Sequence, residues 1–479
     1  MTFLVYVPDG YAAERRYVLD VILAEWLGLD FDVVSADGPE VAIRMAGDRE
    51  NREVTLPDVL FGTPREAWLT SRSMPALPLA RLSQDVVRQL EPDPRVVRGD
   101  SKAAPLPILF GNPDAVGRSW RATETRVSIP VDIFGSAFYL LTRYEEVVIP
   151  ERDKHERFPA RASLAVREGF EERAVVDEYV DLLWNAMQRL WPSLVRKSST
   201  FRLRLTHDID QPWAALGQRT WTVAHTLAGD LLRRRDHILA AQRARAMMDA
   251  RTGRVDRDPL NTFDLLMDTS EQFGLRSVFY FMAGNTPADF DFRYRLSDPP
   301  FPGVLRRIHE RGHEIGLHAS YGSPLSPERT RMEFEALKAA CWGAGFEQPT
   351  WGVRQHYLRF ANPQTWRNQE SAGLEHDSTL GFAERIGFRA GTCREYPVFD
   401  VLDHRMLRLR ERPLVVMDGT LFEYMGLGPD DAAARVRAVV DTCRWHGGDA
   451  VLLYHNTTLA GARRRAHYRK LVEDLVRPS

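Results

Sequence analysis

The chain has 479 residues, 44% hydrophobic and 27% charged, with a formal net charge of −2. That length exceeds what one hydrophobic core ordinarily fills, so two or three domains are expected. The near-neutral balance excludes a bulk electrostatic pull toward nucleic acid or anionic membrane.

Only five of the 64 Lys and Arg residues are lysines (Lys102, Lys154, Lys197, Lys338, Lys470), a bias read as base composition and not as a phosphate-binding surface. Cys341, Cys393 and Cys443 are scattered and form no CxxC pair, so neither a disulfide framework nor a thiolate zinc site is indicated. The opening Met1-Thr2-Phe3-Leu4-Val5-Tyr6-Val7 lacks a basic leader and turns polar at Pro8-Asp9-Gly10, which predicts a first strand. No run approaches the ~18 apolar residues of a membrane span. A transmembrane segment is not expected, and the cytoplasm is the expected compartment.

Residues 1–197 read as an α/β accessory domain. Apolar residues recur at helical spacing from Tyr17 to Leu27 and stop at Gly28. Short strand-like segments with Pro and Gly turns run on through residue 118. An apolar helix is predicted over Ile129 to Glu146, closing on charges, and a second over about Val175 to Leu190. This half offers no metal constellation and no nucleophile motif, and its aromatic residues read as core.

The polar stretch Pro192 to Thr200 marks the boundary. Residues 198–479 then alternate strand and helix patterns, which predicts parallel βα units closing into an irregular (β/α)7-type barrel. Strands are predicted at Phe201–Leu205, Ser277–Ala283, Glu314–Leu317, Thr350–Val353, Gly373–His376, Pro413–Met417 and Ala450–Tyr454. Helices are predicted at about Thr262–Phe273, Pro327–Gly343, Pro429–Trp445 and Arg463–Val476. An arginine-rich, helix-prone insertion at about 212–259, including Leu231-Leu232-Arg233-Arg234-Arg235, reads as a solvated helical pair beside the barrel mouth. A membrane-surface role for it would need a second anchoring signal.

The chemistry collects at strand ends. The alternation Leu203-Arg204-Leu205-Thr206 breaks into His207, Asp208 and Asp210 before Pro212. Later strands end in His318, in Arg354-Gln355-His356-Tyr357 and in His455-Asn456. In a βα barrel the carboxyl ends of the strands converge on one mouth. One carboxylate with two imidazoles makes an open zinc site, and a second carboxylate free of the metal can take a proton from water.

These residues resemble the NodB-type polysaccharide deacetylases, a family of metal-dependent carbohydrate esterases. The family's Thr-Phe-Asp-Asp strand end resembles Thr206-His207-Asp208-Ile209-Asp210. Its Gly-His-Glu-Ile-Gly-x-His motif matches Gly312 to His318, its Arg-Pro-Pro-Tyr resembles Arg354-Gln355-His356-Tyr357, and its Leu-x-His resembles Leu453-Tyr454-His455. The first half, with Asp132-Ile133-Phe134-Gly135-Ser136-Ala137-Phe138, is similar to an uncharacterised domain that precedes this barrel in a bacterial subgroup.

The chain departs from the family at two ligand positions. Ile209 stands where the family has its aspartate ligand, with Asp210 one residue later on the same face as Asp208. Gly322 stands where the family has its second histidine, leaving His356 as the candidate imidazole and His207 as the alternative. The resemblance thus implies a divalent metal, zinc by preference, on Asp210, His318 and His356. It makes Asp208 the base held by Arg354, the Tyr357 backbone N–H an oxyanion donor, and His455 the acid that protonates the leaving group. Asp377 and Arg389 are either further site contacts or a buried ion pair. His313 reads as structural, because in a strand it faces away from Glu314, Gly316 and His318.

The function implied is hydrolysis of an acetyl group from an N- or O-acetylated sugar, nucleotide-sugar or glycan precursor, with no nucleic-acid partner. Another amide or ester substrate is the nearest alternative. A degenerate barrel that binds glycan, or scaffolds exopolysaccharide synthesis without turnover, is the alternative that Gly322 favours.

Overall fold

Two main β-sheets carry the chain in the computed structural model, which describes residues 1–83, 104–112, 122–218, 220–232, 235–284, 290–291 and 294–477. The first sheet is built from β1 (Thr2–Val7), β2 (Asp30–Ser35), β3 (Glu40–Met45) and β4 (Glu53–Pro57). A small antiparallel pair, β5 (Ala80–Leu82) and β6 (Leu106–Ile108), stands apart from it. With β7 (Arg126–Ser128) the first sheet takes the order β2-β1-β3-β4-β7. The alternation expected of the opening residues is present, with Phe3, Val5 and Val7 buried.

The predicted helix before Gly28 begins earlier, as α1 (Ala12–Leu19), and runs on in wider turns over Asp20–Leu27. Gly28 closes it at φ 74°, in the left-handed region that favours glycine. The helix predicted over 129–146 is shorter than expected. It spans only Ile133–Leu141 (α2), because Asp132 Oδ1 caps the first turn by accepting from the Gly135 N–H at 2.7 Å. At its far end Arg143 turns to φ 53° and breaks the run. The next predicted helix is found as α3 (Val175–Leu190).

The second sheet contains all seven predicted strands: β8 (Arg202–Ile209), β9 (Ser277–Phe281), β10 (Glu314–Ala319), β11 (Gly352–Gln355), β12 (His376–Asp377), then, after two unpredicted ones, β15 (Leu414–Met417) and β16 (Asp449–Leu453). The unpredicted pair is the hairpin β13 (Tyr396–Asp400) and β14 (Arg405–Glu411). The order is β13-β14-β12-β11-β10-β9-β8-β16-β15, and every neighbouring pair except β13/β14 is parallel. The expected count of seven units is therefore not confirmed; among the described residues the sheet has nine strands, with β13 and β15 as its edges.

Strand β8 shows why the sequence folds this way. Leu203, Leu205 and Ile209 enter the core between sheet and helices, and burying each side chain contributes roughly 1.5–3 kcal/mol. Arg204, Thr206 and Asp208 alternate to the inner face. The connecting helices include α6 (Phe263–Gln272), α7 (Phe301–Glu310), α8 (Pro327–Gly343), α9 (Gln364–Ala372), α10 (Pro429–Trp445) and α11 (Ala462–Val476). The insertion forms the expected helical pair, α4 (Thr220–Leu232) and α5 (His237–Ala250), packed against each other; Arg233 and Arg234 lie outside the described residues.

The two halves share one contiguous apolar cluster. Tyr17 and Phe138 of the first pack their rings on Phe399 of the second at 4.9 and 5.4 Å. Two buried ion pairs cross the same boundary, Arg389 with Glu146 at 2.7 Å and Arg394 with Asp177 at 2.8 Å. No helix among the described residues is long and apolar enough to cross a membrane.

Candidate active site

The carboxyl ends of β8, β10 and β11 bring Asp210, His318 and His356 together, with one donor atom from each lying within 4.8 Å of the others. His318 Nε2 is 3.0 Å from Asp210 Oδ1, and His356 Nε2 is 3.8 Å from the same oxygen. Both imidazoles are fixed from behind. His318 Nδ1 is 3.0 Å from the Arg354 carbonyl, and His356 Nδ1 is 2.8 Å from Asp291 Oδ1. Bonding at Nδ1 fixes the tautomer that leaves the Nε2 lone pairs aimed at one point.

Apart from each other at 3.0 Å, His318 Nε2 and Asp210 Oδ1 are buried with no hydrogen-bond partner among the described residues. Polar atoms so placed at the centre of a buried cluster are what a bound cation would satisfy. The donor set suits zinc or a similar divalent ion. Burial opposes charge on Asp210, but the imidazoles of His356, His318 and His455 outweigh it and hold the carboxyl below the usual range. Burial likewise opposes charge on His318, and Asp208 and Asp210 raise its pKa above the ordinary imidazole value. The same carboxylates that favour a proton on His318 would favour a divalent ion in its place.

Two pairs flank this point, the first buried and the second with its histidine half-buried. Arg354 Nη1 donates to Asp208 Oδ1 at 3.0 Å and to Thr206 Oγ1 at 2.8 Å. Its Nε and Nη2 bond the carbonyl and hydroxyl of Ser378, each at 2.9 Å. The other oxygen of Asp208 is 3.7 Å from His318 Nε2. On the far side, His455 Nδ1 lies 2.6 Å from Asp418 Oδ1, and its Nε2 is 3.8 Å from Asp210 Oδ2. Burial would lower the His455 pKa, yet Asp418, Asp210 and Asp208 push it up to about 10. Asp418 itself is held below the usual range, since the His455 charge outweighs its burial. Asp208, Asp210, His318, His356 and His455 line a cavity of about 220 Å³ with Met417, Tyr357 and Arg157, while Arg354, Asp291 and Asp418 stand behind that lining.

The sequence candidates sort clearly. His207 turns to the outer face, where Nδ1 meets the Tyr454 carbonyl at 2.9 Å, Nε2 meets Ser277 Oγ at 3.1 Å, and the ring packs on Phe279. It is therefore not part of the cluster. A side chain at Gly322 would collide with the Arg329 guanidinium, which fills that place. Tyr357 sits at φ 61°, ψ 12°, followed by Leu358 at φ 53°, a left-handed pair uncommon for such residues. Arg389 pairs with Glu146 and not with Asp377, whose Oδ1 accepts from Thr379 Oγ1 at 2.5 Å. His313 is structural, with Nδ1 accepting from the Ser277 N–H at 3.0 Å.

Three contributors escaped the sequence reading. Asp418 follows the end of β15 and carried the same strand-end signal as the others. Asp291 lies in a loop before α7 with no periodic pattern around it. Arg157 comes from the first half of the chain and donates from Nη1 to the Tyr357 carbonyl at 3.2 Å.

Residues 3–192 match the model described as a family of unknown function, DUF7033. No curated protein matches the chain. Among solved structures, the chain is similar to a protein from Mycobacterium smegmatis described as a polysaccharide deacetylase, at 21% identity over 58% of this chain and 85% of that one, with a TM-score of 0.38. It is similar to the peptidoglycan deacetylase PdaC from Bacillus subtilis at 12% identity over 58% and 84%, with a TM-score of 0.26. A third is PuuE allantoinase, at 14% identity over 58% and 84%, with a TM-score of 0.37.

Proposed function

We propose that the protein is a metal-dependent hydrolase that removes an acetyl group from an N- or O-acetylated sugar or glycan precursor. The observation that carries this reading is the convergence of Asp210, His318 and His356 to within 4.8 Å, next to a second carboxylate, Asp208, that Arg354 holds at 3.0 Å. The three converging residues would hold a divalent cation, zinc by donor type, which supplies Lewis-acid polarisation of an acyl carbonyl.

The remaining steps belong to side chains. Asp208, oriented through Oδ1 by Arg354, takes the proton of the attacking water on its other oxygen. A nearby guanidinium favours the ionised form that this task requires. His455, kept charged by Asp418, gives the proton on Nε2 to the departing amine or alcohol. The backbone N–H of Tyr357 is assigned to the developing oxyanion. A cavity of about 220 Å³ is below the ~300–1,000 Å³ of whole-ligand pockets, so it suits an acetyl group and the edge of one sugar ring.

The test is metal content with acetate release. The purified protein should hold about one divalent ion per chain and free acetate from acetylated chitooligosaccharides. Asp208→Asn should keep the ion and slow release by roughly 10²–10⁴-fold. A protein that neither takes up metal nor releases acetate sinks the reading.

A further inference from the structure

At the other end of β8 from Asp208 and Asp210, an open basin of about 520 Å³ lies where the two halves of the chain meet. Glu25 and Trp26 form one wall, the connecting residues 197–200 another, and the foot of the second sheet the third.

Its charges do not balance. Arg394 is neutralised from behind by Asp177 at 2.8 Å. Five further cations line the basin (Lys197, Arg202, Arg204, Arg410 and Arg412) against three carboxylates, Glu25, Glu395 and Asp449. Glu25 and Glu395 answer Arg410 and Arg412 one for one. Asp449 has to serve both Arg202 and Arg204, each at 2.7 Å. Among the described residues, Lys197 Nζ reaches only the Glu25 backbone carbonyl, at 2.9 Å. Among the residues that line the basin, two positive charges remain in excess, with Glu314 beyond the lining also acting on Arg412.

Among the described residues, the unmet charged and aromatic groups around the basin are donors, beside the hydroxyls of Ser198, Ser199 and Thr200. Arg204 has a side chain 21% exposed and bonds Asp449 through Nε alone; its two terminal nitrogens have no acceptor among the described residues. Trp26 is 5% exposed, and its indole Nε1–H is buried without an acceptor. His376 spends its one acceptor on Arg412 Nη1 at 2.9 Å, and burial, then Arg412, push its pKa down to about 3, so it adds no further charge. A ligand that answers this wall brings several acceptor oxygens and two negative charges in a small volume.

We propose that this basin binds a phosphoryl dianion, either inorganic phosphate or the phosphate of a small ester. The arginine excess of the chain reads as base composition overall, and here it is gathered into a site. Nothing in this proposal depends on the hydrolase reading, since the basin shares no residue with the catalytic cavity.

The full chain is titrated with sodium phosphate and with ribose 5-phosphate, against sodium chloride at equal ionic strength, by thermal unfolding and calorimetry. Saturating phosphate should raise Tm by about 3 °C or more beyond the chloride control. Arg204→Gln should weaken binding at least tenfold. Lys197→Gln, on the exposed rim where folding is not at stake, should weaken it several-fold. Ribose 5-phosphate binding tenfold tighter than inorganic phosphate assigns an ester; equal binding assigns the free ion. A Tm that follows ionic strength alone, or variants that both bind phosphate as the parent does, overturns the proposal.

Discussion

Arg354 donates to Asp208 across 3.0 Å with neither side chain more than 3% exposed. A buried pair of this kind adds little net stability, but breaking it leaves a charge stranded. Arg354→Met is expected to destabilise the protein by about 3–5 kcal/mol in urea titration. The double variant with Asp208→Asn should recover part of that loss, because it removes the stranded carboxylate. A double variant less stable than Arg354→Met alone would show that the stranded charge is not the main cost.

The support behind the imidazoles predicts a graded metal series. His356→Ala removes a proposed ligand and should weaken zinc binding by more than the Asp291→Asn change, which removes only the carboxylate behind it and should cost roughly 10–100-fold. Competition with a chromophoric chelator reads both. Unchanged affinity in His356→Ala would refute that ligand, and Arg329→Ala with a histidine at position 322 would then be the rescue to try.

Glu395 gives a pH prediction away from the catalytic cavity. Burial would raise its pKa, but Arg412 and Arg410 lower it to about 2, below the ~4.5 of the unfolded chain. The group therefore contributes stability that is present above about pH 4.5 and is lost as pH falls from there toward 2. With its side chain 18% exposed, the contribution is about 2–3 kcal/mol. Glu395→Gln should flatten the acid limb of the stability curve over that window and leave its slope between pH 6 and 8 unchanged. An unaltered acid limb would remove Glu395 as its source.

The two halves should not separate cleanly. Residues 198–479 expressed alone would leave Arg389 and Arg394 buried without Glu146 and Asp177, and the Phe399 ring without Tyr17 and Phe138. That fragment is expected to aggregate or to unfold without cooperativity in thermal scans. A sharp transition from the isolated fragment would contradict the shared core.

Much of the second half was legible because strand ends carry their chemistry in short runs, and each predicted strand there lies within a few residues of an observed one. The hairpin β13–β14 escaped because Arg405, Arg408 and Arg410 interrupt the pattern of β14, leaving only Leu407 and Leu409 as its buried apolar residues, and because Pro397 interrupts the buried run of β13. The helix predicted over 129–146 runs past its Asp132 cap because the apolar content on either side of that residue is continuous. Within the site, Asp208, Asp210, His318, His356 and His455 were readable from local motifs. Choosing between His207 and His356 required knowing which face of β8 looks inward. Arg157 was not readable, since it sits among Glu151, Arg152, Asp153 and Glu156 and reaches the cavity only through tertiary packing.

The alternation along β8 has an evolutionary cost. Because Arg204, Thr206, Asp208 and Asp210 serve one side and Leu203, Leu205, His207 and Ile209 the other, deleting a single residue between 203 and 206 exchanges the two sets at a stroke. Length changes are thus barred inside this segment, while the stretch 192–196, ahead of the basin wall and free of helix and strand, can absorb them. Lineages that drift in spacing should do so only there.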